Sequence, residues 1–210
     1  MFHIELYHIS TFYVLTAFII SFLSYIKVLD QYQLYCNYEL IFQGHQYWRL
    51  FTSLLYFEEL STKSIAMLLT FANYASSCEV LYFSTRPLDF IVFSIFAAAS
   101  AMLTGWICGR VIFSMDFYFF FVCYKSKRAV DNQFAVFDII LSQSFLPFFI
   151  ILLTWIAGDS IKSLVLIYLF SQLYFIVHDV INIKYGTHLL RCPESANKFL
   201  RKLLLKIKFD

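Results

Sequence analysis

The chain has 210 residues, of which 60% are hydrophobic and 14% charged, with a formal net charge of +2. An ordinary soluble domain carries about 25% charged residues, so the composition excludes a soluble globular fold, and nothing in the charge balance points to nucleic acid. Its apolar stretches approach the roughly 20 residues a bilayer core demands and are predicted to be helices, because in lipid the backbone must satisfy its own hydrogen bonds. The runs are continuous and not alternating, which argues against a transmembrane β-barrel.

The first span is predicted over about residues 9–29. No basic n-region or small-residue cleavage site accompanies it, so it is expected to stay as an anchor. Residues 30–59 then mix Tyr32, Tyr35, Tyr38, Phe42, Tyr47, Trp48 and Phe51 with Gln33, Asn37, Glu39, His45 and Arg49. This stretch is too polar to span and too apolar to float free, and is predicted as a loop with short amphipathic helices in the interface. A second span over about 64–83 ends at Thr85-Arg86-Pro87, since the residue before proline avoids the helical region. The third, about 89–108, carries the run Ala97 to Ala101. Gly105 and Gly109 follow at the spacing of helix packing.

A fourth apolar segment, about 110–124, makes roughly 21 Å of helix, short of a hydrocarbon core of about 30 Å. After the polar run Lys125 to Asn132, a fifth span is expected over about 134–157, with Pro147 kinking it. The turn Gly158-Asp159-Ser160 leads to a sixth span, about 161–181. The expected fold is therefore an all-α polytopic membrane protein, one six-span domain over residues 1–195. Residues 196–210 follow as a tail in which Phe199, Leu200, Leu203, Leu204 and Ile207 fall at helical spacing among Lys198, Arg201, Lys202, Lys206 and Lys208. Such a pattern reads as a basic amphipathic helix on the cytosolic membrane face.

Six spans put both termini on one side. With the termini in the cytosol, that side holds eleven basic residues, among them Arg86, Lys125, Lys127 and Arg128, against five opposite: Lys27, Arg49, Lys63, Arg110 and Lys162. The positive-inside rule selects this orientation. The five cysteines, Cys36, Cys78, Cys108, Cys123 and Cys192, stand singly without metal or disulfide spacing. They read as packing residues, and no metal or other cofactor is expected.

One constellation carries a family signature. The run Gln46-Tyr47-Trp48-Arg49-Leu50-Phe51-Thr52-Ser53 after the first span resembles the Trp-Arg segment of the first loop in Derlins. Matches in the same order are Tyr74 with Glu79, Asp89-Phe90, Tyr124 with the Lys125 to Arg128 loop, Leu146-Pro147, Asp179-Val180, Gly186, Leu189-Leu190 and Pro193. The chain departs from the family in its sixth span, where Ser171-Gln172-Leu173-Tyr174 and His178-Asp179-Val180 replace the usual Gly-His-x-Tyr and Glu-Asp-Val. The resemblance implies a rhomboid-like bundle and a non-catalytic role in ER-associated degradation, helping misfolded proteins cross the endoplasmic reticulum membrane. It further implies a membrane ubiquitin-ligase complex as partner and, through it, a cytosolic AAA ATPase.

Two alternatives stay open beside that reading. A rhomboid protease needs a serine on its fourth span and a histidine base on its sixth. Only Ser114 and His178 are available, and their positions predict different depths. A small multipass transporter would place ionisable groups on its pathway. Glu79, Asp89, Asp138, His178 and Asp179 fall toward span ends near basic residues, as a polar cavity or rim would. Asp116 alone sits inside the opposite leaflet, with Arg49 or Arg110 as its partner.

Overall fold

In a computed structural model the chain is described over residues 8–129, 133–136 and 139–181, together with Pro193 and Asn197. It is a helical bundle with one small hairpin. Its helices are α1 (His8–Tyr25), α2 (Gln31–Leu34), α3 (Tyr38–Phe42), α4 (Trp48–Leu55), α5 (Thr62–Phe83), α6 (Pro87–Cys108), α7 (Ser114–Arg128), α8 (Leu146–Ile156) and α9 (Lys162–Phe175). A single-turn π-helix, Ile176–Val180, prolongs α9. By length and composition, Pro87–Cys108 and Lys162–Val180 can each cross a bilayer, while Ile9–Tyr25 and Gln143–Ile156 are apolar but shorter.

Local chemistry explains where these helices begin and end. At the start of α5 the Ser64 N–H donates to Ser61 Oγ (3.2 Å) and the Ser61 N–H to Ser64 Oγ (2.8 Å), a reciprocal cap that satisfies two otherwise orphaned donors. The proline expected to close one span opens the next: Pro87 is the first residue of α6, where its missing N–H costs nothing. Gly109 ends α6 in the left-handed region, at φ 66°, which a side chain resists. A Cβ on Gly109 would meet nothing, whereas a Cβ on Gly105 would overlap the Phe113 ring. Of the two glycines paired for helix packing, Gly105 lies at a close approach and Gly109 serves as a cap.

The fifth apolar segment departs from expectation. Residues 133–136 and 139–142 pair as antiparallel strands β1 (Gln133–Val136) and β2 (Ile139–Ser142). After a 3₁₀ turn, Gln143–Phe145, α8 begins only at Leu146, with Pro147 in its first turn. Proline inside a helix would remove a hydrogen bond and clash with the preceding turn. The helix starts at the proline and is not kinked by it.

α7 is the hub, packed by α5, α6, α8 and α9. Phe117, Phe119, Phe120, Phe121, Val122, Cys123 and Tyr124 are all buried along it. Rings from every side meet this column: Tyr13 stacks on Phe117 at 5.0 Å, Phe71 contacts Phe121 at 5.5 Å, and Phe93 lies 4.9 Å from Phe121 and 4.6 Å from Tyr124. Tyr174 of α9 packs 5.2 Å from Phe93. Each such pair is worth about 0.5–1.5 kcal/mol beyond its burial. α5 contributes Leu68, Phe71, Ala75 and Cys78 at helical spacing, and α6 contributes Phe90, Phe93, Ala97 and Ala101. Cys36 and Cys123 are likewise buried, and Cys192 and, apart from Asn197, the tail over 196–210 lie outside the described residues.

Gly105→Ala is expected to destabilise by about 1–3 kcal/mol, because the Phe113 ring must shift inside a packed site. Gly109→Ala should cost about 1–2 kcal/mol through its backbone conformation alone. Thermal unfolding in detergent, followed by circular dichroism, checks both.

Candidate functional site

The polar side chains divide between the two ends of α7 and one open flank. At the end carrying the first loop, α4 presents the Trp48-Arg49 pair. Trp48 and Phe51, three residues apart, are 54% and 67% exposed, while Arg49, Ser53 and Leu54 are buried. Arg49 Nη1 donates to the carbonyls of Tyr32 (2.6 Å) and Tyr35 (3.0 Å), and its Nε to Gln46 Oε1 (2.6 Å). One guanidinium thus closes the loop from residue 32 to residue 49 with charge-assisted bonds in the planar fork that only arginine offers. Four further bonds fasten the loop to the bundle: Tyr13 hydroxyl to Leu54 O (2.6 Å), Cys36 N–H to Val111 O (2.8 Å), Phe113 N–H to Ser53 O (2.9 Å) and Ser114 hydroxyl to Tyr56 O (2.7 Å). Burial pushes the Cys36 thiol up, which keeps it protonated.

Asp116 is fully buried in the first turn of α7, and its Oδ1 accepts from Arg110 Nη1 at 3.1 Å. Ser163, at the start of α9, faces the same carboxylate. Of the two arginines open as partners, Arg110 takes the position and Arg49 is committed to the loop.

The other end holds the acidic residues expected there, each with its own partners. Asp179 is gripped by Arg128 through both carboxylate oxygens, with Nε at 3.0 Å from Oδ2 and Nη2 on Oδ1. Tyr124 hydroxyl donates to Oδ2 (3.2 Å), and His178 Nδ1 lies 2.9 Å from Oδ1. The Arg128 guanidinium also covers the Tyr82 ring at 4.7 Å, and the His178 ring stacks on Tyr174 at 5.3 Å. Within the π-turn the adjacent His178 and Asp179 are both buried. Glu79 accepts from Ser10 N–H (3.0 Å), Ser10 hydroxyl (2.6 Å) and Ile9 N–H (3.3 Å). It caps α1 from α5, a role with no local signal in the sequence. Asp89 pairs with Arg86 at 3.7 Å and with Asn197 Nδ2 at 3.4 Å. Asp138 lies outside the described residues.

Ser114 and His178 do not form a dyad. α7 and α9 run parallel, with Ser163 level with Asp116. His178 follows fifteen residues later, about 22 Å along the axis. Among the described residues, no three His, Cys, Asp or Glu side chains gather as a metal would require.

The open flank was not foreseen. α5 and α8 both pack on α7 and scarcely touch each other. Between Ser114 and Tyr124 only Met115 and Tyr118 are not buried, and Lys125 continues their line at helical spacing. Facing them, α5 carries Thr70 and Tyr74, with Asn73 exposed beside them; Tyr118 lies 6.1 Å from Tyr74, and Lys125 Nζ sits 4.7 Å over the Tyr74 ring. The signal available was a polar cluster in the middle of an otherwise apolar span.

The Der1-like family model matches residues 6–194. The chain belongs to the Der1-like family. It is 26% identical over 202 residues to Derlin-1.1 of Zea mays, covering 92% of this chain and 81% of that protein. It is 25% identical over 208 residues to Derlin-1 of Oryza sativa subsp. japonica, covering 95% and 84%. With Derlin-2.2 of Arabidopsis thaliana it shares 30% over 97 residues, 46% and 39% of the two chains. Membership makes this Der1-like chain a multipass protein of the endoplasmic reticulum membrane with a role in ER-associated degradation, and Derlins are generally non-catalytic.

Arg49→Lys is expected to lose about 1.5–3 kcal/mol, since an ammonium cannot reproduce the three bonds of the fork. Limited proteolysis of the protein in proteoliposomes should then cut within residues 30–59. Asp179→Asn, which leaves the Arg128 charge without its carboxylate, should cost on the order of 2–3 kcal/mol. The thermal midpoint in detergent should fall accordingly.

Proposed function

We propose that this Der1-like chain helps retrotranslocate misfolded proteins across the endoplasmic reticulum membrane, as a non-catalytic component that forms a locally thinned, polar-lined path. In this reading α1, α5, α6, α7, α8 and α9 are six spans of a rhomboid-like bundle with both termini cytosolic, and the first loop lies at the luminal face. A membrane ubiquitin-ligase complex receives the substrate, and a cytosolic AAA ATPase acts through that complex.

The observation that carries the reading is the flank between α5 and α8. α7 has 15 residues and α8 has 11, roughly 22 Å and 16 Å of helix, against a core of about 30 Å. In this reading the bilayer thins beside the short α8, next to the half-buried face of α7. On the same flank Asn73 is exposed and Tyr118 and Lys125 are half-buried. A polypeptide entering there would exchange hydrogen bonds with these groups while crossing a reduced thickness of hydrocarbon, and unsatisfied backbone groups are the main barrier to such a crossing. The outward Trp48 and Phe51, held by buried Arg49, anchor the loop at headgroup level on the side of entry.

The test is a translation-block chase of a luminal misfolded reporter in cells carrying the wild-type chain, no chain, or the variant Asn73→Leu with Tyr118→Leu. The variant should slow reporter clearance to the rate without the protein while it still accumulates and co-purifies with the ligase. Reporter decay equal to wild type would sink the proposed path.

A further inference from the structure

A cavity lies away from the open flank, at the loop end of α1. Its volume is about 360 Å³, and Ser24, Lys27, Leu29, Asp30, Gln31, Tyr32 and Glu59 line it. The turn that ends α1 holds Lys27 in the left-handed region at φ 59°, with the Lys27 N–H bonded to Ser24 O at 3.0 Å. Lys63, the next basic residue of this region in sequence after Arg49, is occupied by Glu58 at 3.6 Å, whereas Lys27 makes no ion pair among the described residues. Asp30 Oδ1 accepts only the Tyr32 N–H, at 3.2 Å, and Glu59 Oε1 accepts from Gln31 Nε2. Each carboxylate therefore keeps an oxygen free to accept.

We propose that this cavity binds the headgroup of a zwitterionic phospholipid carrying a primary ammonium, its phosphate on Lys27 and its ammonium between Asp30 and Glu59. Three features select that chemistry. The site holds one positive and two negative side chains, so a headgroup with net negative charge is repelled. The carboxylates accept hydrogen bonds and cannot donate them, so an ammonium with three N–H groups fits and a trimethylated one leaves them unpartnered. Tyr32, which lines the cavity, and Tyr25, Ile26 and Val28, next to its lining residues in sequence, are exposed, an apolar and tyrosine-rich collar of the kind that sits at the membrane interface. The collar places the cavity at the depth where headgroups are, which favours a lipid over a soluble peptide.

The full chain purified in detergent, mixed in turn with phosphatidylethanolamine, phosphatidylcholine and phosphatidylglycerol of matched acyl chains, is read by native mass spectrometry. Ethanolamine lipid should be retained roughly tenfold over choline lipid, with glycerol lipid weakest. Asp30→Asn with Glu59→Gln keeps the cap on α2 and should abolish the preference; Lys27→Gln should weaken both zwitterionic lipids. Unchanged circular dichroism and elution volume establish that the variants fold. Equal retention of the ethanolamine and choline lipids, strongest retention of the glycerol lipid, or a preference that survives the double variant would overturn the proposal. So would an added unfolded peptide that forms the variant-sensitive adduct while no lipid does.

Discussion

Helices in a bilayer gain little from leaving lipid for one another, because lipid tails are as apolar as their own side chains. What holds this bundle is therefore close contact between shaped surfaces, and α7 supplies most of it. Its run of phenylalanines from Phe117 to Phe121 and the buried Tyr124 meet rings from α1, α5, α6 and α9. Dispersion between such rings is small per atom pair and large in sum. The polar clusters at the two ends of α7 add direction to this contact: Asp116 with Arg110 at one end, Asp179 with Arg128 and Tyr124 at the other. The second fixes the register of α7 against the π-turn that prolongs α9, which rings alone would leave free to slide.

A hub so fully enclosed leaves its relation to lipid to be decided at one place. Where α5 and α8 scarcely touch, Met115, Tyr118 and Lys125 of α7 are only half-buried, and of the two helices bordering the gap α8, with 11 residues, is the short one. Catalytic use of the same scaffold would need a serine and a histidine at a common depth inside the enclosed part. Here Ser114 is spent on the Tyr56 carbonyl and His178 on Asp179, at opposite ends of the bundle. Neither side chain is free for the other.

Much of this was legible in the residues and some was not, for identifiable reasons. α6 and α9 announce themselves because continuous apolar runs bounded by Pro87 and by Gly158 admit few other readings. The Trp48-Arg49 loop was legible from its mixture of tyrosine, tryptophan and polar side chains, and its bonding to carbonyls follows from arginine's geometry. The segment before Pro147 was not, since a short apolar run fits a strand or a helix equally well and only the proline marks the boundary. Gly109 and Gly105 share one motif yet serve different ends, because a four-residue spacing says nothing about which glycine closes a helix. The flank of α5 and α7 depended on which elements fail to touch, and no window of sequence contains that information.

The carboxylate of Glu79 on the first turn of α1 has a consequence for how the molecule is made. The Ser10 N–H finds its acceptor sixty-nine residues downstream, so this donor in the first turns of α1 lacks that acceptor until α5 has been synthesised and turned back beside it. An uncapped turn exposes amide donors that hydrocarbon cannot satisfy. Satisfying these donors of α1 and docking α5 against it are therefore a single event.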